Sequence, residues 1–314
     1  MSLPVTSTTT DTVVPSGAQY ELGHGRHHAV VTEVGATLRS YAVDGCAVLD
    51  GFDASALCDA GRGQVLAPWP NRLGDGRYSF EGRDAQAALD EPERHNAIHG
   101  LVRWLAWQVA SRAQNVLAMR CVVEPQPGYP WRLGLVVEYR LGRDGLSVCA
   151  TATNLDAAPA PFGIGFHPYV TVGTPVVDSA ALAVPARRRL VTDERGLPTT
   201  SQAVAGSELD FSARRWVGAT RLDTAFTDLV RDGDGLARVE LDDAAGGRGA
   251  TVWMDERFGY VMVFTGDTLQ PDRRRRAIAI EPMTCPPDAL RSGTNVIRLE
   301  PGASWTGRWG ITPR

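Results

Sequence analysis

Short segments in which apolar and polar residues alternate dominate the sequence. In LVVEYRL, residues 135–141, the side chains at odd positions are apolar and share one face, whereas the even positions include a glutamate and an arginine. Alternation with period two is typical of a β-strand with one buried face. LSVCATATNL, residues 146–155, repeats the pattern after GRDG, whose Asp144-Gly145 pair suits a hairpin turn. The two segments predict an antiparallel pair of strands.

Similar segments recur along the chain at roughly ten-residue spacing, which is typical of all-β proteins. The further examples are ARVELDD, GATVWMDE, YVMVFTGD, RAIAIEPM and SWTGRWGI. Long amphipathic helices are hard to find between them. Strands that follow one another without helices form antiparallel sheets that pack face to face. The sequence therefore predicts an all-β (mainly β) fold, a large antiparallel β-sandwich.

Length and composition are compatible with one large domain. The chain has 314 residues, of which 43% are hydrophobic and 22% are charged, so a sizeable core is available. A β-sandwich of this length is often a single folded unit. Residues 1–17 are rich in Thr, Ser and Pro and show little periodicity. We predict a flexible N-terminal tail, 1–17, followed by a single domain, 18–314.

Charge and hydropathy limit the classes of partner. A net charge of −4 gives no general attraction for nucleic acid, and four consecutive arginines at 273–276 are interpreted as a solvated loop. The N-terminus lacks the features of a signal peptide, and no apolar run is long enough to span a bilayer. The five cysteines form an odd set without a C-x-x-C pair. We expect a cytoplasmic protein that binds neither nucleic acid nor membrane.

Two of the six histidines lie among glycine, proline or asparagine instead of in strand alternation. They are His99 in NAIHGLVR and His167 in GIGFHPYV. The glycines and proline around His167 predict a strand that ends in a fixed turn, and functional sites are commonly built on such strand ends and loops. Either histidine could instead be half-buried and satisfied by a backbone carbonyl. We interpret both as candidate site residues.

A glutamate near the C-terminus occupies an unusual strand face. In AIAIEPMTC, Glu281 shares a face with Ala277 and Ala279, while Ile278 and Ile280 occupy the opposite face. A carboxylate beside alanines has either solvent or a cavity in front of it. Apolar neighbours would raise its pKa towards the range useful for a general base. The alternative is an exposed strand glutamate.

The segment APWPNRLGDGRYSF has a stiff backbone immediately before two polar residues, Asn71 and Arg72. The planar donors of an arginine suit hydroxyl or carboxylate oxygens, and Trp69 could lie against the apolar face of a sugar ring. A surface turn with an exposed arginine is the alternative. Asp223 in RLDTAFTDL cannot be distinguished, by itself, from a loop or capping aspartate.

Two groups of histidines have spacings like those of metal ligands. They are HGRHH at 24–28 and the pair His95 and His99. Neither group matches the helical H-E-x-x-H pattern, and Pro92 and Gly100 bracket too short a segment for a stable helix. The sequence predicts no metal site.

Six segments together resemble the aldose 1-epimerases, or galactose mutarotases, in the same chain order. The segments are PWPNRLGDGRYSFEG, NAIHGLVR, GFHPYV, LDTAF, AIEPMTCPPDA and LEPGASWTGRWGI. The resemblance runs from about residue 20 to the C-terminus. It implies a β-supersandwich, in agreement with the strand pattern. It also implies an isomerase that interconverts the α and β anomers of free aldohexoses such as galactose or glucose, without a cofactor.

The resemblance further implies roles for the matching residues. Glu281 resembles the base that takes the proton of the anomeric hydroxyl, and His167 resembles the acid that protonates the ring oxygen. His99 is similar to a histidine that assists this acid. Sugar-hydroxyl contacts are implied for three more residues: Asn71, Arg72 and Asp223. The expected partner is a monosaccharide, and the expected state is a monomer or homodimer. These roles require residues 167 and 281 to flank one cleft.

Three other functions stay open at this point. A hexose-6-phosphate 1-epimerase would need a cationic clamp at the mouth of the cleft, which the many arginines permit. A non-catalytic carbohydrate-binding protein would keep Trp69, Arg72 and Asp223 without needing Glu281 and His167 together. A glycoside hydrolase would use Asp223 and Glu281 as a carboxylate pair separated by about 5–9.5 Å.

Overall fold

The computed structural model describes residues 14–314, which are almost entirely strands and their connections. The strands up to residue 154 are β1 (Gln19–His24), β2 (His27–Thr32), β3 (Leu38–Val43), β4 (Cys46–Ala47), β5 (Val65–Leu66), β6 (Arg72–Gly74), β7 (Arg77–Phe80), β8 (Arg83–Gln86), β9 (Asn96–Ile98), β10 (Gln108–Ala113), β11 (Val116–Val123), β12 (Leu133–Gly142) and β13 (Gly145–Asn154). The remaining strands are β14 (Ala160–Phe162), β15 (Gly165–Phe166), β16 (Tyr169–Val170), β17 (Ala180–Ala183), β18 (Ala186–Thr192), β19 (Pro198–Ala203), β20 (Arg215–Trp216), β21 (Asp223–Leu229), β22 (Ala237–Asp243), β23 (Gly249–Met254), β24 (Tyr260–Phe264), β25 (Ile278–Met283), β26 (Ile297–Leu299) and β27 (Ser304–Pro313).

Helix is scarce in this part of the chain. The single α-helix found between residues 14 and 314 is α1 (Ala289–Ser292), and two 3-10 turns cover Pro92–Arg94 and Val177–Ser179. Within the same residues, no helix has the length and apolarity needed to cross a membrane. The prediction of an all-β fold is confirmed.

The predicted N-terminal tail, 1–17, lies outside the described residues up to position 13. From position 14 the chain forms a turn in which the Gly17 N–H donates to the Val14 carbonyl at 2.9 Å. The Val34 N–H donates to the Ser16 carbonyl at 3.0 Å, so this turn is joined to the segment after β2.

Two large sheets form the sandwich. The first has nine strands in the order β10-β11-β12-β13-β27-β23-β22-β17-β20. The second has eight, in the order β19-β18-β21-β24-β25-β15-β5, with β16 also paired to β25. Apolar side chains of both sheets, such as Val137 and Val148 from the first and Val261 and Ile280 from the second, belong to one buried core. A four-stranded sheet, β1 to β4, and three two-stranded sheets complete the fold.

The hairpin predicted from the alternating pattern is present. Strands β12 and β13 pair antiparallel, with Gly142 opposite Gly145 at the turn. The odd-numbered residues of β12 are buried, whereas the residues between them are at least partly accessible. Gly145 has a φ of 128°, a conformation that favours glycine. Period-two hydrophobicity therefore fixed both the strands and their register.

Strand β25 lies in the interior of the second sheet and has two different faces. Ile278 and Ile280 point into the core of the sandwich, as predicted. Ala277 and Ala279 belong to a separate small cluster with Tyr169 on the opposite face of the sheet. Because side chains alternate along a strand, Glu281 also lies on this second face. The sheet thus presents a carboxyl group away from the sandwich core.

The interpretation of the run 273–276 as a solvated loop is wrong for two of its arginines, Arg273 and Arg275. Arg273 is 23% exposed and donates to the Gly51 carbonyl at 3.2 Å. Arg275 is mostly buried and donates to Asp178 at 2.8 Å and to Asp267 at 2.7 Å. It also donates to the carbonyl of Gly218 at 2.7 Å. This arginine joins loops that the sequence pattern could not bring together.

Candidate active site

A cleft of about 460 Å³ opens on the face of the second sheet that points away from the sandwich core. Side chains of β24 and β25 form its floor, and loops from several parts of the chain form its walls. Six of the seven residues predicted from the sequence line it: Asn71, Arg72, His99, His167, Asp223 and Glu281. The fold therefore brings together residues that are up to 210 positions apart, from 71 to 281.

Glu281 is buried at the floor of the cleft. It is 2% exposed and lies opposite Met262 of the neighbouring strand β24. Its Oε1 lies 3.4 Å from Nε2 of His167, whereas its Oε2 has no hydrogen-bond partner among the described residues. Burial raises the pKa of Glu281 well above its ordinary value, the charge of Asp223 adds to this, and Arg72 opposes it. The carboxyl therefore binds a proton strongly, and one of its oxygens is buried without a hydrogen-bond partner among the described residues.

This burial predicts that Glu281→Gln stabilises the protein near neutral pH. A carboxyl whose pKa is raised on folding favours the unfolded state once the pH exceeds its ordinary 4.5. Glutamine has no charge to desolvate, so we expect the free energy of unfolding to rise by at least about 1 kcal/mol near pH 7. The gain should disappear as the pH falls below 4.5. Urea unfolding at several pH values checks this, and an equal gain at every pH would contradict it.

His167 is fixed by the backbone on both sides. Its N–H donates to the Gln64 carbonyl at 3.2 Å, and its own carbonyl accepts from the Gly63 N–H at 2.9 Å. Burial lowers the pKa of His167 to about 3, and the positive charge of Arg62 contributes to this. The Nδ1 atom of the ring has no hydrogen-bond partner within residues 14–314.

The buried pair His167 and Glu281 holds one proton over a wide pH range. The pKa of the carboxyl is raised and the pKa of the imidazole is lowered. Between these two values the pair carries a single proton, on either the carboxyl or the ring, and the two forms differ only by a transfer over 3.4 Å. In the form that has the proton on the ring, the pair offers a carboxylate base and an imidazolium acid together.

His99 is held by reciprocal hydrogen bonds with Asn71. The Asn71 N–H donates to Nδ1 of His99 at 3.2 Å, and the His99 N–H donates to the Asn71 carbonyl at 2.9 Å. Both residues have positive φ, 57° and 65°. A Cβ added to the following Gly100 would lie 2.1 Å from the Ala67 carbonyl oxygen, so only glycine fits there. The ring of His99 lies 5.3 Å from that of His167 at 74°, edge to face.

The geometry predicts the tautomer of His99. Because a backbone N–H can only donate, Nδ1 accepts and the ring proton lies on Nε2. Burial lowers the pKa of His99 well below its ordinary value, and the neighbouring His167 adds to this. We expect ¹⁵N NMR to report the Nε2–H tautomer from about pH 7 down to about pH 5. The spectrum of His99→Gln assigns the signal, and an imidazolium in this range would contradict the geometry.

Arg72 is oriented by a carboxylate that the sequence analysis missed. Its Nε lies 3.0 Å and its Nη2 3.1 Å from the two oxygens of Glu91. The Nη1 atom remains on the side of Asp223, 3.9 Å from its Oδ2. The Asn96 amide donates to Glu91 at 2.8 Å and fixes it in turn. Glu91 lies 19 positions from Arg72, and no motif marks it.

Trp69 does not reach the cleft, which corrects the suggested contact with a sugar ring. It is 2% exposed and packs in the main hydrophobic core. The stiff segment around it was identified from sequence, but the direction of each side chain within a turn was not. Other aromatic residues line the cleft, among them Tyr169, Phe264 and Trp104, and Trp104 is 52% exposed. Nothing in LVRWLAW distinguishes Trp104 from a core tryptophan.

Two histidines of the 24–28 group, His27 and His28, make other contacts. His27 is buried, with Nδ1 2.8 Å from the Tyr41 hydroxyl and Nε2 3.2 Å from the Arg143 carbonyl. His28 lies 3.7 Å from Glu21 on the surface. Over residues 14–314, no group of three or more His, Cys, Asp or Glu side chains is arranged to hold a metal ion.

Comparisons with known proteins show which family and which folds the chain resembles. The family model described as aldose 1-epimerase matches residues 18–312. YihR of Escherichia coli K12, an uncharacterized protein, is 32% identical over 288 residues, covering 91% of this chain and 90% of its own. A GalM/aldose epimerase homologue from C. elegans shares the fold with a TM-score of 0.84 at 18% identity, over 95% of this chain and 98% of its own. Galactose 1-epimerase from Lactobacillus acidophilus shares it at 0.79 and 17% identity, over 94% of each chain.

Proposed function

Since the chain belongs to the aldose 1-epimerase family, we propose that it interconverts the α and β anomers of a free aldohexose such as galactose or glucose. One observation supports this most strongly. Nε2 of His167 and Oε1 of Glu281 lie 3.4 Å apart at the floor of a cleft of about 460 Å³, and both groups are buried. Opening a cyclic hemiacetal needs a base and an acid at once, and this pair supplies both.

In the proposed mechanism, the Glu281 carboxylate takes the proton of the anomeric hydroxyl. Protonated His167 gives its proton to the ring oxygen, the C1–O5 bond breaks, and an open-chain aldehyde forms. Rotation about the C1–C2 bond presents the other face of the aldehyde. Reversal of the two proton transfers then closes the ring as the other anomer. The mechanism needs no cofactor and no covalent intermediate.

The number of protons on Glu281 and His167 is the same before and after each step, which supports this mechanism. Ring opening gives one proton to Glu281 and removes one from His167, so the pair still holds a single proton. Ring closure in the opposite direction restores the starting form. Because burial keeps the pair at one proton over a wide pH range, no exchange with solvent is required within a turnover.

The other cleft residues are suited to holding the sugar. His99, neutral with its proton on Nε2, can donate to the ring oxygen or a hydroxyl without competing as a base. Arg72 and Asp223 offer a donor and an acceptor on the same side of the cleft. The Asn71 side-chain oxygen accepts from the Arg72 N–H at 2.9 Å, so Asn71 contributes mainly by fixing His99.

Charge pairing in the cleft favours an uncharged sugar over a hexose 6-phosphate. Arg72 is paired with Glu91, and Arg103 with Asp90 at 2.7 Å. Arg94 lies 3.9 Å from Glu91. A phosphate is normally held by arginines whose donors are not already shared with carboxylates. The arginines of this cleft are therefore better suited to hydroxyl groups.

The proposal is tested by NMR exchange spectroscopy of the anomeric protons at equilibrium. The panel contains galactose, glucose, their 6-phosphates and one disaccharide. We expect faster exchange for a free hexose than in buffer alone, weaker acceleration for the phosphates, and an intact glycosidic bond. Acceleration confined to the phosphates would replace the proposal with a hexose-6-phosphate epimerase. Sugar binding without any acceleration would indicate a carbohydrate-binding protein, and a cleaved disaccharide a hydrolase.

A further inference from the structure

A buried arginine lies behind the cleft, and the proposed reaction does not use it. Arg62 is 2% exposed, which is rare for a guanidinium. We propose that Arg62 is a positioning residue: through Tyr169 it holds the ring of His167 in place, and it keeps a positive charge behind that ring. The inference rests on the proposed function of His167 as the acid that protonates the sugar.

Three planar groups form a column that ends at the cleft. The Cζ atom of Arg62 lies 4.2 Å from the centroid of the Tyr169 ring, within the range of a cation–π contact. The Tyr169 ring stacks on that of His167, with centroids 5.0 Å apart and planes at 16°. The Tyr169 hydroxyl donates to the Ala60 carbonyl at 3.2 Å, which fixes the middle of the column. A shift of the guanidinium would therefore be transmitted to the imidazole.

The segment that carries Arg62 also contacts His167 directly. Gly61 has a φ of 72°, and a Cβ at this position would lie 2.8 Å from Cδ2 of His167. Gly63 and Gln64 make the two backbone hydrogen bonds that fix His167. The backbone of this segment therefore packs closely against the imidazole. The buried side chain of Arg62 holds the segment in place.

Arg62 is itself anchored by carboxylates and, through them, by the arginine run. It lies 2.9 Å from Oδ2 of Asp50 and 3.1 Å from Oδ1 of Asp59. Asp50 is also within 3.4 Å of Arg273 and 3.6 Å of Arg276. Two arginines of the run 273–276 thus hold the aspartate that holds Arg62. This gives the run a structural role that its sequence did not suggest.

The charge of Arg62 acts on His167 together with the other groups that face the ring. Glu281 lies at 3.4 Å, the rings of His99 and Tyr169 at 5.3 and 5.0 Å, and Arg103 adds a second positive charge. Burial is the main cause of the lowered pKa of His167, and Arg62 is the next. A positive charge nearby disfavours the imidazolium, so protonated His167 is a stronger acid than it would be alone.

A matched pair of substitutions separates position from charge. Arg62→Lys keeps the charge but not the planar stack, and Arg62→Met removes both. For Arg62→Met we expect the pKa of His167, measured by histidine ¹⁵N NMR, to rise. The acid limb of the pH profile of kcat should move to higher pH. The pKa of His167 rises because the repulsive charge of Arg62 is lost and the negative charge of Asp59 loses its partner. For Arg62→Lys we expect an unchanged acid limb and a kcat lower by about tenfold or more, with little change in KM.

Two further variants make the test independent of the folding of the Arg62 variants. Tyr169→Leu removes the middle of the column and should lower kcat in the same way. Arg112, on the exposed strand β10, also lies over a tyrosine. Its Cζ is 5.6 Å from the centroid of the Tyr20 ring. Arg112→Met is therefore a matched control and should leave kcat and the titration of His167 unchanged.

The outcomes that oppose the inference are distinct from those that oppose the proposed function. An unchanged titration of His167 in Arg62→Met, or an unchanged kcat in Tyr169→Leu, would overturn the role of Arg62. NMR titration does not need turnover. A shifted titration in a protein that accelerates no sugar would support the effect of Arg62 on His167 and would contradict the epimerase proposal.

Discussion

Glu281→Gln is expected to lower kcat for anomer exchange by about 10²–10⁴-fold, the range typical of removing a general acid or base. The amide keeps the size and shape of the carboxyl but cannot accept the proton of the anomeric hydroxyl. Sugar binding should persist, with Kd changed by less than about threefold, because the remaining contacts of the cleft are untouched. Exchange spectroscopy measures kcat, and calorimetry measures Kd on the same samples.

Asp223→Asn is the matched control for this substitution, since it also replaces a cleft carboxylate with an amide. Asp223 is half exposed at the start of β21 and lies on the side of Arg72. We expect a higher KM and a smaller fall in kcat than for Glu281→Gln. If Glu281→Gln instead lost sugar binding and kept its turnover, Glu281 would be a binding residue and not the base.

His167→Gln is expected to lower kcat by about 10²–10⁴-fold as well, because no other group can protonate the ring oxygen from the same position. The two residues act on one pair of proton transfers, so their effects should not multiply. The double variant Glu281→Gln/His167→Gln should be about as slow as the slower single variant. Rates of all four proteins, measured with one sugar, complete the double-mutant cycle.

His28→Gln is the control for the histidine substitution, because this residue lies on the surface beside Glu21. It should leave kcat unchanged. If the single effects multiplied in the double variant, Glu281 and His167 would act in separate steps. The one-proton description of the pair would then be incorrect.

Much of the fold followed from the sequence because one rule applies throughout it. Period-two alternation places successive side chains on opposite faces of a strand, so it identified the hairpin β12–β13 and the two faces of β25. The family resemblance then pointed to His99, His167 and Glu281, three residues that line one cleft. Pattern and motif together were sufficient for the fold class and for six of the residues that line the cleft.

The parts that sequence did not predict depend on contacts between distant segments. The hydrogen bond between Asn71 and His99 joins residues that are 28 positions apart. The orientation of Arg72 depends on its ion pair with Glu91. Arg62 and Tyr169 meet across a long stretch of chain without any motif that links them. The same limit explains the Trp69 error, because the direction of a side chain within a turn is set by what packs around it.

The division of the cleft between strands and loops has a consequence for how such proteins diversify. Glu281 comes from a strand at the centre of the sheet, and changes around it would disturb the sandwich. Trp104 and Arg94 come from connecting loops and can be replaced without repacking the interior. Rim residues can therefore change while the floor of the cleft is kept. Proteins that share this fold at 17–18% identity show how much sequence change the sandwich itself tolerates.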